Sequence, residues 1–335
     1  MSVNLQRAFP VAALILPLLL LAGGANLLGN QIFERIVTVM FINLTVVLGL
    51  QMFIGNSGVS SFVHIGFMGI GAYASILFSM SPQDKALALR SLYEVLKEVQ
   101  LPFLPSLLIG AGVAALVAAV IGFPLMRLSG AGAVIATFAL LVIIHVIFIN
   151  WEEVTNGPRT IFGITRYTNL WVSAAWGFVF ILLAYGFKET GLGLRLRASR
   201  EDERAAASLG IDIVWVRWVA FVLSAFVVGV GGALYAHFIT SFSPLAFYLT
   251  QTFLVIAMLI IGGTGSVAGA VVGTVVVTAI FEGLRAAENA INLAQLFPET
   301  LAGFTEVCLS IAMILILIYR PAGIMGGQEF RWPRK

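Results

Sequence analysis

Apolar residues fall in blocks along the chain, parted by short polar or glycine-rich breaks. The blocks run over 11–29, 33–53, 60–80, 103–123, 132–150, 170–187, 213–238, 251–262, 266–284 and 301–319. A bilayer core of about 30 Å takes roughly 20 helical residues per crossing. The pattern predicts an all-α polytopic membrane protein of about ten transmembrane helices, range eight to ten, forming a single transmembrane domain over 1–335. The eighth and ninth blocks set that range. Only Gly262, Gly263, Thr264, Gly265 and Ser266 part them, enough for either a tight turn or a re-entrant bend. The first block follows a single Arg7, but its apolar run is long and no small-residue cleavage site precedes a polar start. It reads as a retained helix rather than a leader.

Composition sharpens this picture. The chain is 60% hydrophobic and 10% charged, with a mean hydropathy of +1.01, whereas a soluble protein carries roughly 25% charged residues. A water-soluble globule is excluded. The net charge of +3 leaves no broad basic face for nucleic acid. One cysteine, Cys308, excludes an intrachain disulfide and a CxxC metal site, and His64, His145 and His237 are too scattered to suggest a metal centre.

The placement of charge is more informative than its sum. With ten spans and the N-terminus inside, the cytoplasmic basic residues are Arg7, Arg127, Lys188, Arg195, Arg197, Arg200, Arg204, Arg217, Arg320, Arg331, Arg334 and Lys335. The outer set is Arg35, Lys85, Arg90, Lys97, Arg159, Arg166 and Arg285. This asymmetry follows the positive-inside rule and places both termini in the cytoplasm. Two loops are long. Residues 83–100 read as an external amphipathic helix, with Leu89, Leu92, Leu96 and Val99 on one face and Arg90 and Glu94 on another. It either rests at the membrane interface or docks an external partner. Residues 188–212 form the most charged stretch; within it Glu201, Asp202, Glu203 and Arg204 lead into Ala205, Ala206, Ala207, Ser208, Leu209 and Gly210. Acids in a first turn and a glycine stop predict a short exposed helix, suited to docking in another protein's groove.

Polar residues inside spans are costly and are functional candidates by default. Ser57, Ser61, His64, Asn43, Thr137, His145 and Glu282 are of this kind, although a satisfied interior hydrogen bond accounts for most such residues. Carboxylates are scarce: Glu282 and Glu306 alone lie well inside blocks. A proton- or sodium-coupled carrier would place acids near the midplane, so the secondary-carrier reading is weakened. Gly55, Asn56, Ser57 and Gly58 spell the GxSG of rhomboid-like intramembrane serine proteases, with His145 or His237 as a conceivable base, but the string is short and common. Gly265, Gly269 and Gly273, four apart, make a flat strip for close helix packing, within the chain or between subunits. Gly263, Gly265 and Ala268 fit a loose dinucleotide fingerprint that is rejected here, because both flanks are membrane spans. No GxxxxGK[ST] occurs, so the chain has no phosphate-binding loop for ATP.

The inner loop resembles the coupling segment of ABC importer permeases, in particular branched-chain amino acid permeases of the LivM type. Arg197, Arg200, Glu201, Asp202, Glu203, Ala205, Ala206, Leu209, Gly210 and Ile211 match that family's string. Arg204 stands directly before the alanine pair, where the general ABC pattern has an acid. The likeness continues through Gly58, Ser61, His64, Phe67, Gly69, Gly71, Ala72 and Tyr73; through Thr137, Asn156 and Gly157; through Ser224, Gly229, Gly232 and Tyr235; and through Ser243, Pro244 and Gly262 to Gly273.

The resemblance implies an inner-membrane permease subunit of an ATP-driven importer for branched-chain or other hydrophobic amino acids. The resemblance leaves a permease for urea or short amides as the alternative. It implies no covalent chemistry and no cofactor in this chain, with ATP and magnesium on partner subunits. The implied partners are a second homologous permease, two cytoplasmic ATPase subunits, an external substrate-binding protein and membrane lipid. Coupling to the ATPases would fall to Arg200, Glu201, Asp202, Glu203, Ala205, Ala206, Leu209 and Gly210, and the translocation path or its packing to Ser57, Ser61, His64, Thr137, Asn156 and Gly157.

Overall fold

The structure is a computed structural model that describes residues 3–294, 303–320 and 322–329. Among these residues helices are joined by turns and loops, and one antiparallel bridge links Ile161 and Phe242. The helices are α1 (Val3–Leu27), α2 (Gln31–Leu50), α3 (His64–Ser79), α4 (Pro82–Ala88), α5 (Glu94–Lys97), α6 (Phe103–Leu125), α7 (Gly130–Asn150) and α8 (Glu152–Thr155). There follow α9 (Leu170–Glu189), α10 (Gly191–Glu201), α11 (Glu203–Ser208), α12 (Ile213–Ile239), α13 (Leu249–Gly262), α14 (Val267–Leu293) and α15 (Phe304–Tyr319). Among the described residues eight apolar stretches are long enough to cross a membrane, and His64–Ser79 and Phe304–Ile316 are shorter apolar helices. Each of the ten sequence blocks thus meets one apolar helix. The first residues of the tenth block, and Arg331, Arg334 and Lys335, lie outside the described residues.

The core forms around α3. Its 16 residues span about 24 Å at 1.5 Å per residue, less than a bilayer core. All of them but Ile70 and Phe78 are buried, so α3 faces protein on every side. Glycine permits this. A Cβ on Gly232 of α12 would lie 1.9 Å from the Met68 carbonyl oxygen, one on Gly71 2.3 Å from the Gly229 carbonyl oxygen, and one on Gly110 of α6 2.5 Å from the Gly71 carbonyl oxygen. Three backbones therefore touch. Lipid tails are as apolar as leucine, so dispersion at such close approach and interhelical hydrogen bonds hold the bundle. Ser224 Oγ donates to the Gly49 carbonyl at 2.7 Å, tying α12 to α2, and Trp218 Nε1 donates to the Ala119 carbonyl at 2.8 Å, tying it to α6.

The break between the eighth and ninth blocks is a tight turn, not a re-entrant bend. Gly263 has φ +116°, α14 starts at Val267, and Ser266 Oγ accepts from Gly269 N at 3.0 Å as its N-cap. The glycine strip closes this hairpin from within. A Cβ on Gly273 would lie 1.9 Å from the Met258 carbonyl oxygen of α13, and one on Gly269 2.3 Å from the Gly263 carbonyl oxygen. Gly265 faces Gly327 and Arg200 instead.

The expected amphipathic helix over 83–100 is corrected. The segment is two short helices, α4 and α5, parted by Leu89 to Tyr93. Its apolar face does turn inward, with Leu89 and Leu92 buried and Leu96 and Val99 half-buried. Buried Lys85 explains the break. Its Nζ donates to the carbonyls of Leu96 and Val99, bonds that require the chain to fold back over it. Burial holds the Lys85 ammonium below the ordinary lysine value.

Replacing Gly232 by Val is expected to collapse the bundle, because overpacking costs about 1–3 kcal/mol even where neighbours can shift; here the neighbour is backbone. Gly112→Ala, with nothing within 4 Å, is the control and should leave the protein folded. Size-exclusion profiles and melting temperatures in mild detergent read both outcomes.

Candidate functional site

The helices alternate in direction and divide the connections between two ends. At one end lie the α9–α12 connection, the α13–α14 turn, the residues after α2 and the final segment 322–329. Arg200 Nη1 donates to the Gly55 carbonyl at 2.6 Å, and Lys188 Nζ pairs with Glu329 Oε1 at 2.6 Å. At the other end the 156–168 segment meets α12. Ile161 bridges Phe242, and His237 Nδ1 lies 3.1 Å from the Thr165 carbonyl oxygen.

The 188–212 segment is two helices. Thr190 caps α10 through its Oγ1, which accepts from Gly193 N at 3.1 Å. Asp202 ends α10 and caps α11, its Oδ1 accepting from Arg204 N at 2.8 Å and Ala205 N at 3.0 Å. At the far end Gly210 N donates to Ala207 O at 3.0 Å and Ile211 N to Ala206 O at 3.2 Å, the Schellman pairing. Gly210 has φ +79° and open space around it, so glycine is needed there for backbone conformation rather than room.

This short helix has an inner and an outer face. Ala206 is buried, and Glu203 reaches inward to an ion pair with Arg217, whose side chain is 4% exposed. Glu201, Asp202, Ala205 and Ala207 are exposed, and Leu209 is 81% exposed. Arg200 turns inward as well: its aliphatic stem lies over Gly58, and its guanidinium ties α10 to the end of α2. Directly after α2 the chain makes a π-helical turn over Gln51–Gly55. Of the residues grouped by sequence as one coupling set, then, Arg200, Glu203 and Ala206 anchor the segment, while the rest form its outer surface.

The six path candidates do not converge. Ser57, Ser61, His64 and Thr137 are buried near the α2–α3 connection. Ser57 Oγ accepts from Val59 N at 3.1 Å, and Thr137 Oγ1 donates to Val134 O at 3.0 Å and lies 3.4 Å from Phe62 N. Ser61 Oγ and both His64 ring nitrogens have no hydrogen-bond partner among the described residues, and His64 is ringed by Phe53, Phe67 and Phe221. Asn156 and Gly157 sit at the opposite end, where both take φ +62° to turn the chain after α8. Nor is a serine–histidine pair assembled at Ser57. His237 Nε2 lies 3.2 Å from Ser75 Oγ and from Ser79 Oγ, and His145 stacks on Tyr248 at 3.8 Å. No group of three or more potential metal ligands occurs among the described residues.

Sequence reasoning missed the clasp at the C-terminal segment. Glu329 Oε1 and Oε2 accept from Val267 N at 2.9 Å and Ala268 N at 3.1 Å, capping α14, while the same carboxylate pairs with Lys188. Ile324 N and Met325 N donate to the carbonyls of Ile261 and Gly262 at 2.8 and 3.0 Å. The available signal was a lone acid just ahead of the basic end of the chain. Also missed was Gln251, whose Nε2 donates to Asn43 Oδ1 at 3.0 Å and joins α13 to α2.

Ten apolar helices among the described residues, with a capped, exposed helix pair at one end, define a multi-pass membrane protein. The chain belongs to the family described as branched-chain amino acid transport system / permease component, whose model matches residues 32–318. It is 26% identical over 358 residues to the high-affinity branched-chain amino acid transport system permease protein LivM of Escherichia coli K12, covering 96% of this chain and 75% of that one. It is 30% identical over 156 residues to a probable branched-chain amino acid transport permease protein LivH of Methanocaldococcus jannaschii, covering 44% and 46% of the two chains. A nucleoside ABC transporter permease protein NupC of Lactococcus lactis is 39% identical over 84 residues, 25% of this chain and 26% of that one. No solved structure matches the chain.

Lys188→Ala is expected to release the final segment, since a hydrogen bond to a charged group contributes about 1.5–3 kcal/mol. Hydrogen exchange at Ile324 and Met325 should quicken by on the order of tenfold or more, while α3 amides stay protected. Unchanged exchange would refute the clasp.

Proposed function

We infer that this chain is one permease subunit of an ATP-driven importer for branched-chain or other hydrophobic amino acids. The observation that carries this is the family match over nearly the whole helical bundle, joined to a capped helix whose exposed face has no partner among the described residues. The substrate class rests on the two branched-chain relatives, which cover more of this chain than the nucleoside permease does. The other permease of the pair would be a homologue, as LivM and LivH are both similar to this chain. ATP and magnesium would act on two cytoplasmic ATPase subunits, and an external binding protein would deliver substrate.

In this reading α11 docks on an ATPase through Ala205, Leu209 and the acids at its start. Motion enters the bundle along the inner face: Glu203 on Arg217 drives α12, and Arg200 on the Gly55 carbonyl drives α2. The end bearing α10 and α11 lies in the cytoplasm of the inner membrane. Its support is the basic excess there, with Arg127, Lys188, Arg195, Arg197, Arg200, Arg204, Arg217 and Arg320 at that end among the described residues.

The test separates docking from folding. Ala206 is buried, so a charge there would damage the segment itself, whereas Ala205→Glu and Leu209→Glu alter only the outer face. Both are expected to abolish leucine uptake and co-purification of ATPase subunits while membrane abundance stays normal. Normal uptake in both would sink the docking role of α11.

A further inference from the structure

At the end away from α10 and α11, an open cleft of about 620 Å³ lies between the start of α2 and the end of α12. It falls within the roughly 300–1,000 Å³ of small-molecule sites. Glu34, Arg35 and Arg166 line it together with Thr38, Phe238 and Thr240. Three charged side chains around one cavity are unusual in a chain that is only 10% charged. Helix geometry keeps Glu34 and Arg35 apart, since adjacent residues diverge by about 100° around the axis. Among the described residues the ion pairs are Lys97–Glu94, Lys188–Glu329 and Arg217–Glu203, so none of the three cleft charges is neutralised by a salt bridge. Arg166 is held by a ring instead, its Cζ 5.0 Å from the centroid of Phe238.

We propose that this cleft binds the zwitterionic head of a free α-amino acid, the carboxylate on Arg35 and Arg166 and the ammonium on Glu34. Guanidinium groups match carboxylates in geometry and form the stronger, charge-assisted hydrogen bonds, and a carboxylate is the natural acceptor for an ammonium. Two cations and one anion leave the site one positive charge in excess, so a carboxylate is required and an ammonium improves the fit. Ile32 and Ile239 supply apolar lining for an aliphatic side chain. This assignment rests on the amino acid reading above and locates where such a substrate would first be held on this subunit.

The test uses the full chain in lipid nanodiscs, probed by saturation-transfer NMR with L-leucine, isocaproate and isoamylamine. These probes share one aliphatic tail and carry both charges, the carboxylate alone and the ammonium alone. Leucine is expected to bind, isocaproate more weakly, and isoamylamine not at all. Arg35→Gln and Arg166→Gln should each weaken leucine and isocaproate at least tenfold. Glu34→Gln should weaken leucine while sparing isocaproate, a selective pattern that misfolding cannot produce. Arg35→Lys, which keeps the charge, should recover part of the leucine signal. Equal leucine binding by wild type and all three glutamine variants would overturn the assignment. So would variants that lose capture of the cognate binding protein but keep leucine, which would make the cleft a protein-docking face. Uptake by the assembled transporter in proteoliposomes keeps the two readings apart. Leucine uptake with no binding in this cleft defeats the site alone, whereas uptake of a nucleoside but no amino acid defeats the substrate reading itself.

Discussion

Contact between backbones at α3 is the constraint on which the rest of this fold depends. Neither lipid nor water drives helices together inside a bilayer, so association relies on how near two backbones can come. Gly71, Gly110, Gly229 and Gly232 bring α3, α6 and α12 to that limit. Because α3 is short and enclosed, α12 and α6 meet around it, and α2 joins them through the Ser224–Gly49 hydrogen bond. The peripheral helices are differently placed: α1 and α7 bury only 28% and 33% of their apolar windows, which leaves broad faces for lipid or a neighbouring subunit.

The exposed helix pair is tied to the same core. α12 begins just after α11, and Glu203 of α11 pairs with Arg217 one turn inside α12, which joins the surface helix to the central one. Arg200 makes a second attachment, to a π-helical turn. Such turns misalign the backbone ladder and are frequent at functional sites. The attachment therefore falls directly after α2, where regular hydrogen bonding is already interrupted. On the far side of Gly55 the α13–α14 turn stands so near that a Cβ would reach the Thr264 carbonyl oxygen at 2.3 Å. The Lys188–Glu329 clasp holds that turn against α9.

Much of this was legible in the sequence because bilayer physics writes long, simple signals. Ten apolar blocks mark ten helices. The acids before Ala205 and Gly210 after Leu209 mark a helix with both caps as expected. What escaped notice depended on contacts distant in sequence. The apolar face at 83–100 was visible, but not the fold-back over Lys85, since that is set by carbonyls 11 and 14 residues away. Residues 265, 269 and 273 look like one strip, yet a turn of the chain sends Gly265 toward Gly327 and leaves Gly269 and Gly273 to α13. The family resemblance put His64 and Asn156 in one path set, although one lies in an aromatic cage and the other is a left-handed turn at the opposite end.

That separation has a mechanical sense. Near the α2–α3 connection, Gln51, Ser61 and His64 are buried without hydrogen-bond partners among the described residues, each unsatisfied group costing about 1–3 kcal/mol. His64 is held by the packing of Phe53, Phe67 and Phe221 rather than by polar bonds of its own. The opposite end also buries Tyr73 Oη and Thr168 Oγ1 without partners among the described residues, but it adds several hydrogen bonds between elements. His237 is bracketed by Ser75, Ser79 and the Thr165 carbonyl, Lys85 by two carbonyls, and Thr155 Oγ1 donates toward the Phe148 and Trp151 carbonyls at 2.6 and 2.7 Å. A network of satisfied polar bonds resists rearrangement, whereas a region held by packing alone has no directional bonds to break. The charged cleft thus sits beside a layer of hydrogen bonds between elements, whereas the other end joins the Arg200, Lys188 and Glu203 bonds at its surface to an aromatic layer around His64 that makes none.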